Sequence, residues 1–207
     1  LIFYIIYMKK NNYFLNFLRS YHNIFFKVLY FEIFYSILFK EILPKIKIQN
    51  SSKRTDTVPC IYYFLHEISK FLKKKNIKSI VDIGSGYGRV VNFISLKNKI
   101  KSHGIEYDKE VFRFALKVKK AKVNLYCGDI FSFNLKKLKT KCFILVDPFK
   151  RPNDNIKILF KIKKLYPGKK KYVISVNNPK GKFPNEFKLI YSIIGSKTRV
   201  LKIFEIN

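Results

Sequence analysis

Acidic residues are scarce in this chain: 13 Asp and Glu stand against 43 Lys and Arg among 207 residues, a formal charge of +30. Cysteine is scarcer still. Cys60, Cys127 and Cys142 form no C-x-x-C pair, which excludes a secreted disulfide framework and a structural zinc site. The expected compartment is the reducing cytoplasm. Glycine numbers only eight, and only six of the basic residues are Arg. The positive charge is therefore carried mainly by compact Lys ammonium groups rather than planar guanidinium forks. Phe, Ile, Lys, Asn and Tyr, all with A/T-rich codons, make up more than half of the chain. Codon drift is the preferred reading of the lysine excess, with a nucleic-acid partner second, since such a field attracts anions in any case. A hydrophobic share of 48% excludes wholesale disorder. The length suits one domain with a modest extension.

Long unbroken apolar runs are also missing. Residues 1–48 are rich in aromatic and aliphatic side chains but carry no small-residue cleavage site, so they read poorly as a signal peptide. Between Ile24 and Phe39 apolar residues contribute roughly −0.3 to −0.6 kcal/mol each to membrane insertion, and Lys27 and Glu32 cost about 2.5–3.5 kcal/mol each. The two contributions nearly cancel. Asn16, Ser20, Asn23 and Lys27 line one helical face, and Glu32, Ser36 and Lys40 line another, displaced by roughly 140°. The expectation is an extension of two short helices packed on the main domain. Membrane association of this segment, peripheral or anchored, is the second reading. Residues 49–57 are polar and read as a linker.

From residue 58 to residue 207 the pattern is regular. Helices are expected over Ile61–Lys74, Arg89–Lys97, Lys109–Ala121 and Ile156–Leu165. Strands are expected over Ile77–Gly84, Lys101–Tyr107, Val123–Gly128, Cys142–Val146 and Tyr172–Val176. Strands alternating with helices imply βαβ units and a parallel sheet. Two further runs, Phe187–Ile194 and Thr198–Ile206, flank Gly195-Ser196-Lys197 and read as an antiparallel hairpin.

The densest information lies in Val81-Asp82-Ile83-Gly84-Ser85-Gly86-Tyr87-Gly88-Arg89-Val90. A buried strand runs into a glycine-rich turn and then a helix, a turn that lets a ligand approach the main chain closely. The spacing is D-x-G-x-G-x-G, not the dinucleotide G-x-G-x-x-G, because Arg89 takes the third position of that fingerprint. Glu106 ends the next strand, where a carboxylate can accept from both hydroxyls of a ribose. Asp82, Glu106, Asp129 and Asp147 fall at the ends of four successive expected strands, although the chain has few acids. In open α/β sheets ligands bind at those ends. His103 alternates with Ile105 and is expected to be packed, and no Ser-His-Asp or metal constellation is present, so no metal is expected.

Over about 150 residues this part of the chain resembles the class I S-adenosylmethionine-dependent methyltransferases. The resemblance implies a Rossmann-like, mostly parallel α/β sheet with helices on both faces and a methyltransferase domain over residues 58–207. It implies S-adenosylmethionine held by Asp82, Gly84, Ser85, Gly86, Gly88, Glu106 and Asp129, with Asp82 near the methionine moiety, Glu106 on ribose and Asp129 near adenine. Asp147-Pro148-Phe149 stands where that family carries its acceptor motif, so Asp147 is the expected catalytic residue, with Pro148 and Phe149 in the acceptor pocket. The acceptor itself, a protein amine, a small molecule or a base amine, is not specified. The alternative is a non-catalytic module on the same fold that binds nucleic acid or a membrane. Two departures stand out. The motif lacks the second proline of base-amine methyltransferases. The link Asn177–Pro184 is too short for a crossover helix, so either the last helix is missing or the hairpin joins the sheet differently.

Overall fold

The computed structural model describes residues 16, 18–39, 47, 56–178 and 182–207. Strands β1 (Ser79–Ile83), β2 (Lys101–Glu106), β3 (Val123–Cys127), β4 (Cys142–Val146) and β5 (Lys171–Val176) are parallel. They are joined by α3 (Arg89–Asn98), α4 (Lys109–Val118), a 3-10 turn (Leu135–Leu138) and α5 (Pro152–Lys163). Before them come α1 (Phe25–Leu38) and α2 (Tyr62–Lys74), and after them β6 (Lys188–Ile194) and β7 (Val200–Ile206). The sheet order is β3-β2-β1-β4-β5-β7-β6.

Central strands are apolar on both faces because helices cover both. Ile80 of β1, Ile144 of β4 and Ile174 of β5 pack with α2 and α3 on one side. Val81, Phe143 and Val173 alternate with them and pack with Ile158, Leu159 and Ile162 of α5 on the other. Helix α4 is capped by Asp108, whose carboxylate accepts from the backbone N–H groups of Glu110 (2.9 Å) and Val111 (3.2 Å). Helix α5 starts four residues earlier than the apolar periodicity implies, because Pro152 occupies its first turn, where a fixed φ is pre-organised and no N–H is needed.

Both readings of the C-terminal link meet in one arrangement. Strand β7 inserts antiparallel between β5 and β6, and no helix is present among the described residues of the connection. The eleven residues from 177 to 187 could extend about 35 Å, ample to return along a strand of six residues. Phe183 stacks on Phe204 at 3.8 Å and meets Phe187 edge-on, which closes this face where a helix would have packed.

Of the expected N-terminal extension the described residues include α1, the short 3-10 turn His22–Ile24 before it, and helical backbone at residues 16, 18 and 19; residues 1–15, 17, 40–46 and 48 lie outside the described residues, as do residues 49–55 of the expected linker. Helix α1 packs on α2 with its polar stripe turned inward. Glu32 is 0% exposed and accepts from the Tyr62 backbone N–H at 2.5 Å and from Arg89 Nη1 at 3.1 Å, whereas Phe26 is 82% exposed. Arg89 is buried, stacks on the Tyr62 ring at 4.0 Å and donates to the Cys60 carbonyl at 3.0 Å. Among the described residues no helix is long and apolar enough to cross a membrane.

Candidate active site

The C-terminal ends of β1 to β4 open into a cavity of about 950 Å³. Asp82, Gly84, Ser85, Gly86, Glu106, Asp129, Pro148 and Phe149 line it, so most of the residues singled out from the sequence converge there. Gly88 and Asp147 do not line it. Gly88 instead starts α3 at φ +86°, a left-handed conformation that an L side chain adopts only with strain. Asp147, at φ +42°, borders the cavity through Val146 and Pro148, with its carboxyl in the field of Arg199.

The glycine turn is tightly enclosed. A Cβ on Gly84 would lie 2.9 Å from Pro148 Cβ, and one on Gly86 would lie 2.9 Å from Thr57 Cγ2. Thr57 is thus part of the site, although it falls in the expected linker. It is held by an antiparallel bridge to Lys47, whose ammonium reaches Asp108 at 3.1 Å and Glu110 at 2.6 Å. Ser85 packs its hydroxyl toward Gly104 of β2, where a Cβ would meet Ser85 Oγ at 2.7 Å, so its side chain secures the turn.

Charge in the cavity runs opposite to that of the chain. Six acids line it (Asp56, Asp82, Glu106, Asp108, Asp129 and Asp154) against Arg89, Arg151 and Lys120. Asp82 is 1% exposed, and neither carboxyl oxygen has a hydrogen-bond partner among the described residues. Burial first, and the nearby Glu106 charge second, push its pKa up to about 8. Glu106 accepts from the Gly86 N–H at 2.7 Å and the Asp108 N–H at 2.8 Å. Burial raises its pKa and these backbone donors oppose the rise. Asp147 is pushed up to about 6 by burial, opposed by Arg199. Asp129 accepts from the Phe131 N–H at 2.9 Å, a local turn that also faces the cavity. The loop after β3 is pinned from α5, because Lys161 Nζ donates to the carbonyls of Ile130 (2.8 Å), Phe131 (2.7 Å) and Phe133 (2.8 Å).

His103 lies outside this cavity, packed on Tyr126 as its alternation implied, and His66 bonds the Tyr35 hydroxyl through Nδ1 at 2.9 Å. Among the described residues no three His, Cys, Asp or Glu side chains gather to hold a metal ion.

No family model matches the sequence, and no curated protein matches it. Solved structures do match the fold. An RNA methyltransferase from Salinibacter ruber, solved with S-adenosyl-L-homocysteine, aligns over 72% of this chain and 94% of its own, with a TM-score of 0.56 at 20% identity. The CcbJ methyltransferase from Streptomyces caelestis aligns over 68% of this chain and 88% of its own, with a TM-score of 0.51 at 10% identity. The chain has the fold of the class I methyltransferases. Another protein of that fold, the mitomycin 7-O-methyltransferase MmcR, aligns over 68% of this chain and 53% of its own, with a TM-score of 0.50 at 14% identity. Within the methyltransferase fold the cavity occupies the strand-end position where an open α/β sheet binds its ligand. Asp108, Thr57 and the buried Arg89 were not among the residues singled out from the sequence for this site. Asp108 carried a signal in its position just before a helical pattern; Arg89 carried none of its own.

Proposed function

We propose that the chain is an S-adenosylmethionine-dependent methyltransferase. The observation that carries this reading is a cavity lined by six carboxyls in a chain of charge +30, with the Asp82 carboxyl buried there without a partner. Keeping an unpaired buried acid is unfavourable, and a ligand with a cationic centre offsets it. The chain's own residues fit that ligand. The turn at Gly84 and Gly86 forms part of the cavity wall, packed so closely under Pro148 and Thr57 that a Cβ at either glycine would displace them. Asp82 would face a cationic amino group. Glu106 has acceptor capacity to spare beyond its backbone donors, and would accept from ribose hydroxyls. Asp129 and the pinned loop after β3 would hold the adenine end.

When bound, S-adenosylmethionine supplies an electrophilic methyl group. The work left to the protein is to orient a nucleophile, exclude water and accept a proton, because position accounts for most of the rate in such transfers. Pro148 and Phe149, with Phe131 tilted against Phe149 at 5.5 Å, form an apolar wall suited to a flat or alkyl acceptor. Asp147 is the nearest carboxyl to that wall in sequence, and its pKa of about 6 leaves it mostly ionised at pH 7 as a hydrogen-bond acceptor. The fold does not choose the acceptor: by their names its structural neighbours include enzymes acting on RNA and on mitomycin.

Calorimetric titration with S-adenosylmethionine tests the reading. Binding is expected, and Gly86→Val should abolish it, since the new side chain collides with Thr57 at a left-handed φ. Absence of binding by the folded wild-type protein would refute it and leave a non-catalytic module on this fold. Radiolabelled methyl transfer into a cell extract, fractionated into protein, nucleic acid and small molecules, then identifies the acceptor class.

A further inference from the structure

Codon usage sets how many lysines a chain has, not where the fold places them. The five connections leading into β1–β5 gather at the end of the sheet opposite the cavity, with Lys120 of the third reaching round to the cavity's edge. Residues 73–78 hold four lysines, 97–101 three, 119–122 three, 136–141 four and 163–171 five, with no acid in any of these stretches. Of these 19 lysines Lys120 lines the cavity, Lys171 is buried, and Lys163 and Lys170 pair with Glu186 and Glu205; the other 15 stand at one pole, while six carboxyls line the cavity at the other. Favourable interaction with helix C-termini accounts for a lysine or two per helix. It does not extend to residues 136–141, which follow β3 with only a 3-10 turn between.

That missing α-helix leaves part of the β2–β3 face open as a groove. Lys101, His103, Asn124 and Tyr126 line it from the strands, and Lys137 and Lys139 line it from the 3-10 turn and its cap. His103 is only 4% exposed, yet its Nε2 has no hydrogen-bond partner among the described residues. Its Nδ1 lies 3.5 Å from the Tyr126 hydroxyl, and the two rings stack. With that hydroxyl donating to Nδ1, the ring proton resides on Nε2, which makes Nε2 a donor. Burial, and next the Lys101 charge, hold the imidazole below its usual pKa.

A buried donor without a partner, bordered by three ammonium groups, suits an oxyanion. One phosphate would engage only the groove. Lysines spread over five neighbouring connections suit a string of phosphates. No large apolar side chain is exposed in those connections, so nothing there would insert into a bilayer. We propose that this pole is a docking surface for the backbone of nucleic acid, with one phosphate seated in the β2–β3 groove against His103, Lys101, Lys137 and Lys139. Recognition there is of phosphate, without sequence preference. The surface is independent of the cofactor reading, because groove and cavity lie at opposite ends of the strands.

Fluorescence anisotropy of the full chain with a labelled oligouridylate, over a salt series, tests this. Wild-type protein should bind at physiological salt, with affinity falling as salt rises. The double variant Lys137→Glu/Lys139→Glu should bind about tenfold more weakly, and its log–log salt slope should shrink by about 0.7 for each phosphate it no longer neutralises. His103→Phe, checked for folding by thermal melting, should also bind more weakly. A charge-matched control, Lys27→Glu/Lys197→Glu, lies outside the pole and should keep most of the affinity. Equal losses in both double variants would reduce the effect to net charge and overturn the groove. Failure of the wild type to bind would overturn the whole surface. Tighter binding to phosphatidylserine vesicles than to the oligonucleotide, abolished by the same groove variant, would overturn the assignment to nucleic acid and place a membrane there.

Discussion

Replacing Asp82 by Asn should stabilise the protein while damaging its site, and the size of the gain follows from the structure. The folded chain holds the Asp82 proton up to about pH 8, whereas the unfolded chain releases it near the ordinary value of 3.8. Between those values the unfolded state binds fewer protons than the folded one, so stability falls as pH rises. Each pH unit in this window corresponds to about 1.4 kcal/mol, so by pH 7 the accumulated loss is about 4 kcal/mol. Solvent screening does little to reduce it, because the side chain is 1% exposed. Asn does not ionise and escapes the loss, although its amide meets the same lack of partners. Urea unfolding of both proteins at a series of pH values reads the difference directly. The variant should gain little near pH 4 and progressively more toward pH 8, and above pH 8 the gap should level off. A gap independent of pH would refute the reasoning, because it would mean that the carboxyl is ionised or solvated in the folded state.

The same protonation predicts that S-adenosylmethionine binding at pH 7 releases close to one proton, since a cation beside Asp82 favours the carboxylate; calorimetry in buffers of different ionisation enthalpy measures this, and Asp82→Asn should remove it. Glu106→Ala should weaken cofactor binding by about 1.5–3 kcal/mol, the scale of hydrogen bonds to a charged group, and unchanged affinity in the same titration would detach Glu106 from the ribose. Glu32→Ala should destabilise the fold by about 3–5 kcal/mol by leaving the Arg89 guanidinium buried beside Tyr62, with chemical denaturation as the measure and a loss under about 1 kcal/mol, the range of an exposed pair, as the refutation. Asp147→Ala should cut methyl transfer into cell extract about tenfold or more with cofactor affinity kept, as expected of an interaction made mainly during transfer; normal transfer would remove Asp147 from the chemistry.

Much of this protein was legible in the linear chain because the signals are local. A strand that enters a glycine turn and leaves as a helix is specified by ten neighbouring residues from Val81 to Val90, and the acids at successive strand ends need only the strand periodicity to be located. The element order and the cavity floor follow from these. What lies far apart in the chain could not be read in this way. Glu32 and Arg89 are 57 positions apart, and neither side chain identifies its partner; only packing α1 across α2 buries both and makes pairing obligatory. Thr57 enters the site because the chain folds back over Gly86, and no nearby residue announces it. Asp147 sat at the right strand end, yet it adopts a left-handed backbone, φ +42°, and does not line the cavity. The insertion of β7 between β5 and β6 likewise depends on which sheet edge is free, not on the hairpin's own residues. The lysine excess was visible from composition alone. Its gathering at one pole, opposite the carboxyls, arises because parallel strands place every helix-to-strand connection at the same end of the sheet.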